Sequence, residues 1–469
     1  MSKPVILNVL ASRYASDEMA RIWSAEHKVV LERRFWVAVL VAQRDLGVAV
    51  ADGAVEAYQA VTDQVDLASI AERERVTKHD VKARIEEYNA LAGFQEVHKG
   101  LTSRDLTENV EQLQVRLAVA LVRDRMVAAL ARLAEGAAEH AGVAITGRSH
   151  NVPAQVTTVG KRLANAGEEL LAALARVEDL LGRYPLRGVK GPVGTQQDLL
   201  DLLGGDGGQA EELERRVAAH LGFEHVLDGV GQVYPRSLDL DVVSAFVQAA
   251  SGPANLAVTL RLMAGAGLAT EGFLPGQVGS SAMPHKQNAR SSERITALTH
   301  ILGGHLAMVT ALVGDQWNEG DVSCSAVRRI ALPDASFAID GLFETFLAVL
   351  RGFAVYPDRI AAELERELPF LATTKLLLAL VKRGVGREDA HAAVKEHALA
   401  ARGDGPAFLA RLAADSRIGF TAAELTTLVG KPIDLAGAAP AQVATFVARV
   451  DQVTERYPRA AAYEGADVL

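Results

Sequence analysis

The stretch Gly276–Ile295, GQVGSSAMPHKQNARSSERI, gathers groups that could do chemistry. Ser280 and Ser281 offer hydroxyls, His285 an imidazole, Lys286 an ammonium and Asn288 a carboxamide, and two glycines free the backbone to approach a ligand. A plain connection needs turn residues but not this set, and a core segment would not tolerate so much polarity. A glycine-containing loop with one lysine suits the stabilisation of negative charge.

Four other polar islands concentrate His, Ser, Thr, Arg or Lys: SRYAS (Ser12–Ser16), KHDV (Lys78–Val81), HKGLTSRDLTEN (His98–Asn109) and GRSHNVPAQVTTVGKR (Gly147–Arg162). Each also has an ordinary structural explanation. Thr102 and Ser103 before Asp105 are good helix-capping chemistry. His150 before Asn-Val-Pro fits a turn, His79 beside Asp80 fits a surface pair, and Arg13-Tyr14 fits a solvated terminus. The 12 histidines show neither HxxxH nor HExxH spacing, and a single cysteine, Cys324, excludes Cys-based zinc sites. No Walker-type loop, no GxGxxG after a strand and no GxSxG elbow is present. No metal and no cofactor is expected.

The elements that must position these islands read as helices. Apolar residues make up 49% of the 469, dominated by Ala and Leu, which are strong helix formers, while aromatics are only 5%. From Ser103 to Gly136 there is neither proline nor glycine, which predicts an unusually long helix. After Pro153, Val156, Leu163, Leu170 and Val177 recur every seven residues, with Val159, Ala166, Ala173 and Leu180 at the partner positions. Leu238–Gly265, Arg290–Gly314 and Asp334–Gly352 are three further long candidates. The expected architecture is all-α, with an N-terminal helical domain over 1–102, a central five-helix bundle over 103–355, and a C-terminal helical domain over 356–469. The bundle's length suggests that it is shared between subunits. The net charge of −9 argues against a nucleic-acid partner, though not against a locally cationic site. One cysteine, no signal-peptide layout and no long apolar run give the expectation of a cytoplasmic protein with no membrane span.

Taken together, the motifs resemble a known family. GSSAMPHKQN is similar to the signature loop GSSxMPxKxN of the fumarase/aspartase superfamily, HKGLTSRDLTEN to its TSxDxxxN segment, and GRSHNVPAQVTTVGKR to its second characteristic stretch. SRYAS, KHDV, RGVKGPVGTQ, GQVYPRSLD and ELPFLATTKLLLALVKRG look specifically like the adenylosuccinate lyase family within it. The resemblance spans roughly residues 12–400. It implies an all-α homotetramer whose long helices form a common core, and active sites each built from three chains. The implied reaction is β-elimination of fumarate from small nucleotide substrates, adenylosuccinate (leaving AMP) and SAICAR (leaving AICAR), in purine biosynthesis. The loop would then close over substrate and exclude water.

Carried over position by position, the resemblance implies Ser280 as general base, with Ser281 as the neighbour that sequence cannot separate from it. His150 matches the general acid on the leaving nitrogen. Lys286 and the loop N–H groups would stabilise the charge, and His79 would sit near the substrate phosphate. Thr102, Ser103, Thr158, Lys286 and Asn288 match positions that hold the fumarate portion, and Gln232 a contact between the two halves of the substrate. Arg13, Tyr14, Ser325 and Arg329 match nucleotide and phosphate contacts, since arginine suits phosphate. Asp80, His98, Met283 and Arg294 complete the implied contacts. The chain departs from the pattern at Ala289, where proline is usual, at Val152, where glutamine is common, and at Gly320, where an arginine is frequent. Another fumarate-releasing lyase of the superfamily, or a catalytically silent helical tetramer, stay open as alternatives.

Overall fold

The computed structural model describes residues 6–273 and 279–466, so Gly276 and its flanking residues 274–278 lie outside the described residues. The N-terminal part is a run of helices, α1 (Val9–Arg13), α2 (Asp17–Ile22), α3 (Ala25–Asp45), α4 (Ala54–Ala60), α5 (Leu67–Thr77) and α6 (Asp80–Ala92). Side-chain oxygens of Asn8, Ser16, Ser24 and Asp66 cap four of these helices by accepting free first-turn N–H groups. The long helix α7 (Ser103–Glu139) is followed by a hairpin of β1 (Ala144–Ser149) and β2 (Val152–Thr158), then by α8 (Val159–Arg183). Two short helices, α9 (Gln197–Leu202) and α10 (Gly207–Leu221), precede α11 (Ser237–Gly265), strand β3 (Ala269–Thr270), α12 (Arg290–Thr310), α13 (Ser325–Gly352) and strand β4 (Ala354–Val355). Helices α14 (Pro357–Leu371), α15 (Thr373–Lys382), α16 (Arg387–Ala401), α17 (Gly405–Ala413) and α18 (Ala422–Val429) follow. The chain ends with α19 (Ala439–Arg456) and α20 (Pro458–Ala461).

The fold is all-α, as the composition predicts, and five long helices, α7, α8, α11, α12 and α13, carry the main core. The heptad residues Leu163, Ala166, Leu170, Ala173, Val177 and Leu180 are all buried on α8. Two boundaries differ from expectation. Val156 belongs to β2, not to a helix: Val152, Val156, Thr157 and Thr158 are β-branched, and β1 supplies the pairing partner that a repeat analysis does not see. Helix α13 starts at Ser325 rather than Asp334 and runs through Pro333. Its first turn is fixed by buried Arg328, whose guanidinium meets Asp239 at 2.7 Å and Glu111 at 2.6 Å, so the bond lost to proline does not end the helix. Helices α14–α18 enclose a separate core around Leu376, Leu380, Phe408 and Leu425, while α19 returns to the main core through Val443, Phe446 and Val450.

The chain order gives the bundle two distinct ends. At one end lie the start of α7, the start of α11 and the start of α13, joined by Arg236–Glu108 at 2.9 Å and Arg104–Ser325 at 3.3 Å. At the other lie the hairpin, the start of α8, the close of α11 and the start of α12. Thirty-seven residues of α7 separate the two ends by about 55 Å at 1.5 Å per residue. The hairpin end depends on close backbone approach, because a Cβ at Gly160 would sit 2.3 Å from the Ala137 carbonyl oxygen of α7. Gly160→Ala should therefore destabilise the protein by about 1–3 kcal/mol through overpacking. Urea denaturation measures this, and an unchanged midpoint would mean that the two helices can separate at no cost.

Candidate active site

At the first end, Asp105 in the opening turn of α7 organises the surroundings. Its carboxylate is fully buried and accepts from Arg187 Nη1 at 2.6 Å, Lys190 N at 2.8 Å, Gly191 N at 3.0 Å and Thr102 N at 2.8 Å. The same residue thus closes the N-terminus of α7 and holds down the RGVKG segment. One turn on, Glu108 pairs with Arg104 at 3.0 Å and Arg236 at 2.9 Å, and Asp239 pairs with Arg328 and accepts from the Tyr234 hydroxyl. Burial alone would lower the Arg328 and Arg236 guanidinium pKa values, but Asp239, Glu111 and Glu108 around them hold both above their ordinary range. Burial raises the Tyr234 phenol, which stays protonated as a donor.

Several expected residues line this end. Thr102 is the N-cap of α7 and Ser103 its first residue. His79 caps α6, its Nδ1 accepting from Lys82 N at 3.3 Å and lying 3.7 Å from Asp80, which also pairs with Arg84 at 2.8 Å. The capping and surface-pair explanations of Thr102 and His79 are therefore both realised. Burial pushes His98 down to about 4, with His79 and Lys82 adding to the effect and Asp105 opposing it. Gln232 is held by its backbone N–H to Glu319 O at 2.6 Å, and its Nε2 donates to Pro192 O at 3.4 Å. The Ser325 hydroxyl accepts from Arg104, and Arg329 is exposed on the next turn of α13.

The hairpin end holds the rest. His150 sits at the exposed tip between β1 and β2 in a left-handed conformation, φ 52°. Thr158 is buried, and its hydroxyl caps α8 by accepting from Lys161 N at 3.0 Å. A cavity of about 750 Å³ opens beneath the hairpin, lined by Arg148, Lys161, Arg162, Asn165 and Asn255 among others. The signature loop is clasped at its base. Asn288 Nδ2 donates to Gly279 O at 2.9 Å, and a Cβ at Gly279 would meet the Lys286 carbonyl at 2.2 Å. Glu271, on the far side of the loop, caps α12 by accepting from Ser291 N, Ser292 N and the Ser292 hydroxyl at 2.8–2.9 Å. Within the loop, Ser280 Oγ accepts from Met283 N at 3.1 Å and Ala282 N at 3.4 Å, while Ser281, Met283 and Lys286 are exposed. Arg294, one turn into α12, places its guanidinium 5.3 Å from the Tyr14 ring centroid. Burial lowers the Arg294 pKa, and nearby Arg290 and Arg13 lower it further.

One chain therefore brings His79, Asp80, His98, Thr102 and Ser103 together with the Ser325 region, and separately brings Ser280, Lys286, Asn288 and Arg294 to the end that carries His150. It does not bring these two sets to one place. Sequence inspection did not single out Trp36, Arg187 as an ion-pair partner, or Glu271. Only Arg187 stood in a noted motif, and nothing in the spacing of the other two marks them. Among the described residues, no group of three or more His, Cys, Asp or Glu side chains is arranged to hold a metal ion, and no helix is long and apolar enough to cross a membrane.

Comparison with known proteins adds to this geometry. A family described as "Lyase" matches residues 13–303, and one described as "Adenylosuccinate lyase C-terminus" matches residues 369–446. The adenylosuccinate lyase of Saccharomyces cerevisiae is 34% identical over 93% of this chain and 93% of its own length. That of Methanothermobacter thermautotrophicus is 32% identical over 83% and 86%. Among solved structures, a 3-carboxy-cis,cis-muconate lactonizing enzyme from Pseudomonas putida superposes with a TM-score of 0.82 at 21% identity, covering 95% of this chain and 99% of that one. That last likeness speaks to the fold alone.

Two outcomes are expected from the site. Asp105→Asn strands the buried Arg187 guanidinium and should cost about 3–5 kcal/mol in urea unfolding; a cost below 1 kcal/mol would remove Asp105 as organiser. Folded His98 resists taking up a second proton, so its stabilising contribution is full above pH 6.5 and is lost as pH falls toward 4. His98→Gln should flatten the fall in unfolding free energy across that window, and an identical pH slope in the variant would contradict the assignment.

Proposed function

We propose that this chain, which belongs to the adenylosuccinate lyase family, works as a C–N lyase on adenylosuccinate, with Ser280 as the base and His150 as the acid. Ser280, as its oxyanion, removes the proton from the carbon beside a substrate carboxylate; the electron pair is held toward that carboxylate and then forms the C=C bond of fumarate as the C–N bond breaks and its pair stays on nitrogen. Fumarate leaves, and His150 delivers a proton to the departing nitrogen of AMP. The same sequence of steps converts SAICAR to AICAR and fumarate.

The observation that carries this reading is the pair of backbone N–H groups directed at Ser280 Oγ from Met283 and Ala282. A serine is a weak base unless its oxyanion is stabilised, and two fixed N–H dipoles on one oxygen lower the cost of that charge. Lys286 on the same loop adds a positive charge, and the Arg13, Arg290 and Arg294 group beside Tyr14 suits the substrate phosphate. Thr102, Ser103, Thr158, Gln232, Asn288, Met283, Ser325, Arg329, His79, Asp80 and His98 complete the binding set in this reading.

Because the two sets lie about a bundle length apart, one substrate of nucleotide size cannot touch both within a chain. Copies packed with their bundles antiparallel would bring the Ser280 end of one against the His79 end of another, so a homotetramer with shared sites belongs to the proposal. Val258, Leu262, Ile301 and Ile330 expose 38–53% of their surface on α11, α12 and α13, which is apolar area suited to such packing. A cytoplasmic setting belongs to the same reading, supported by the one buried cysteine, Cys324.

The purified protein should release fumarate from adenylosuccinate and not from argininosuccinate offered in parallel; release from neither would overturn the proposal. Ser280→Ala should lower kcat by about 10²–10⁴-fold with the fold intact by circular dichroism. Mixing inactive His79→Asn and Ser280→Ala proteins should restore activity once subunits exchange. Persistent inactivity after exchange is verified by mass spectrometry would rule out sites shared in this way.

A further inference from the structure

His98 occupies an unusual position for a residue in a site that handles protons. Its backbone is left-handed, φ 72°, in the loop between α6 and α7. That loop is fixed on both sides: Gln43 Nε2 donates to Lys99 O at 2.9 Å, and Lys99 Nζ donates to Ala49 O at 2.9 Å and pairs with Glu96. The imidazole is fixed as well. Trp36 Nε1–H donates to His98 Nδ1 at 3.1 Å, and the two rings meet edge to face at 6.0 Å.

An indole N–H can only donate, so His98 Nδ1 must accept. The ring proton is then on Nε2. Trp36 itself has little freedom to let this go. It is 1% exposed, and it stacks on Tyr88 at 6.1 Å, over which Arg33 lies at 4.8 Å while pairing with Glu87 at 2.6 Å. Protonating His98 would place an N–H at Nδ1 against the indole N–H in a part-buried site. The titratable groups facing the ring are Asp105 on α7, Lys82 on α6 and His79 at the α6 N-cap, and their opposed effects do not outweigh burial, which lowers the imidazole pKa to about 4.

We propose that Trp36 is a positioning residue for the reaction: its indole N–H holds His98 in the Nε2–H tautomer, so that His98 offers substrate a neutral hydrogen-bond donor and serves as neither acid nor base. The inference rests on the reading above that His98 lines the substrate site. It divides the labour among the histidines, because a neutral donor can hold an anionic group of the substrate without competing for the proton that His150 transfers.

Magic-angle-spinning NMR of the sedimented full-length protein, labelled with 15N-histidine, reads the tautomer directly, with His98 identified by the signals missing in His98→Gln. The expected result is one protonated Nε2 and one unprotonated Nδ1 from pH 5.5 to 8.5; a protonated Nδ1 or an imidazolium in that range overturns the proposal. Trp36→Phe removes the donor and keeps a ring, so it should give a mixed tautomer and lower kcat/KM about tenfold or more. An unchanged tautomer in that variant overturns the role of Trp36. A second variant pair does not depend on Trp36→Phe folding. His98→Gln keeps an N–H near the Nε2 position and should stay within about tenfold of wild-type kcat/KM, whereas His98→Ala loses at least a hundredfold. Equal losses in the two would assign His98 a proton-transfer role and overturn the neutral-donor assignment. If the tautomer is as expected but His98→Ala is fully active, the placement of His98 in the substrate site fails, and the proposal fails with it while the Trp36 geometry stands.

Discussion

The burial of Asp105 constrains everything at one end of this protein. A carboxylate removed from water is tolerated only when its oxygens are saturated by donors and a partner charge is close. Asp105 meets that requirement by collecting a guanidinium and three backbone N–H groups from two separate segments. The consequence is structural: the start of α7 and the Arg187–Gly191 loop cannot move independently. Glu108 and Asp239 extend the same logic to α11 and α13 through Arg236 and Arg328. These ion pairs do not add much net stability. They fix the relative positions of four chain segments, because any displacement leaves a charge unpaired in a low-dielectric interior.

The other end is built on a different principle. Its loop residues are largely exposed, and order comes from clasps at the base of each loop: Asn288 across to Gly279, Glu271 onto the α12 terminus, and Thr158 at the start of α8. An open loop with a firm base can close on a ligand without disturbing the helices that carry it. In the proposed reading the base and the acid therefore sit on the adjustable end and several binding groups on the rigid one, and a bundle about 55 Å long holds the two apart within one chain. The acidic net charge is no obstacle to a locally cationic site, since the buried acids at the rigid end are matched by guanidinium groups, and Arg13, Arg290 and Arg294 gather near the signature loop.

How much of this was legible beforehand can be followed residue by residue. The five long helices, the Thr102 cap and the position of the signature loop were all readable, because they depend on local composition and on spacing of 3.5 to 3.6 residues. The β1–β2 hairpin was not, since Val156 fits an apolar heptad as well as it fits a strand, and only the pairing with Thr146 decides between them. The early start of α13 was hidden by Pro333, a helix breaker by local rules that is overridden once Arg328 is anchored to α7 and α11. Trp36 looked like any apolar residue of a helix. Its function-bearing atom is the one indole nitrogen, and what that nitrogen meets, His98, lies 62 positions away in the chain.

The sequence by itself therefore determined the helical class, the order of the polar islands and, through the signature loop, the family. These are properties of contiguous segments, where each residue's preference and its near neighbours suffice. Only the tertiary structure decided which islands share an end of the bundle, which carboxylate satisfies which guanidinium, and which nitrogen of His98 carries the proton. Those are contacts between residues tens to hundreds of positions apart. They are selected by burial, where an unmatched charge or hydrogen bond is costly, and no local pattern records which distant partner will meet that cost.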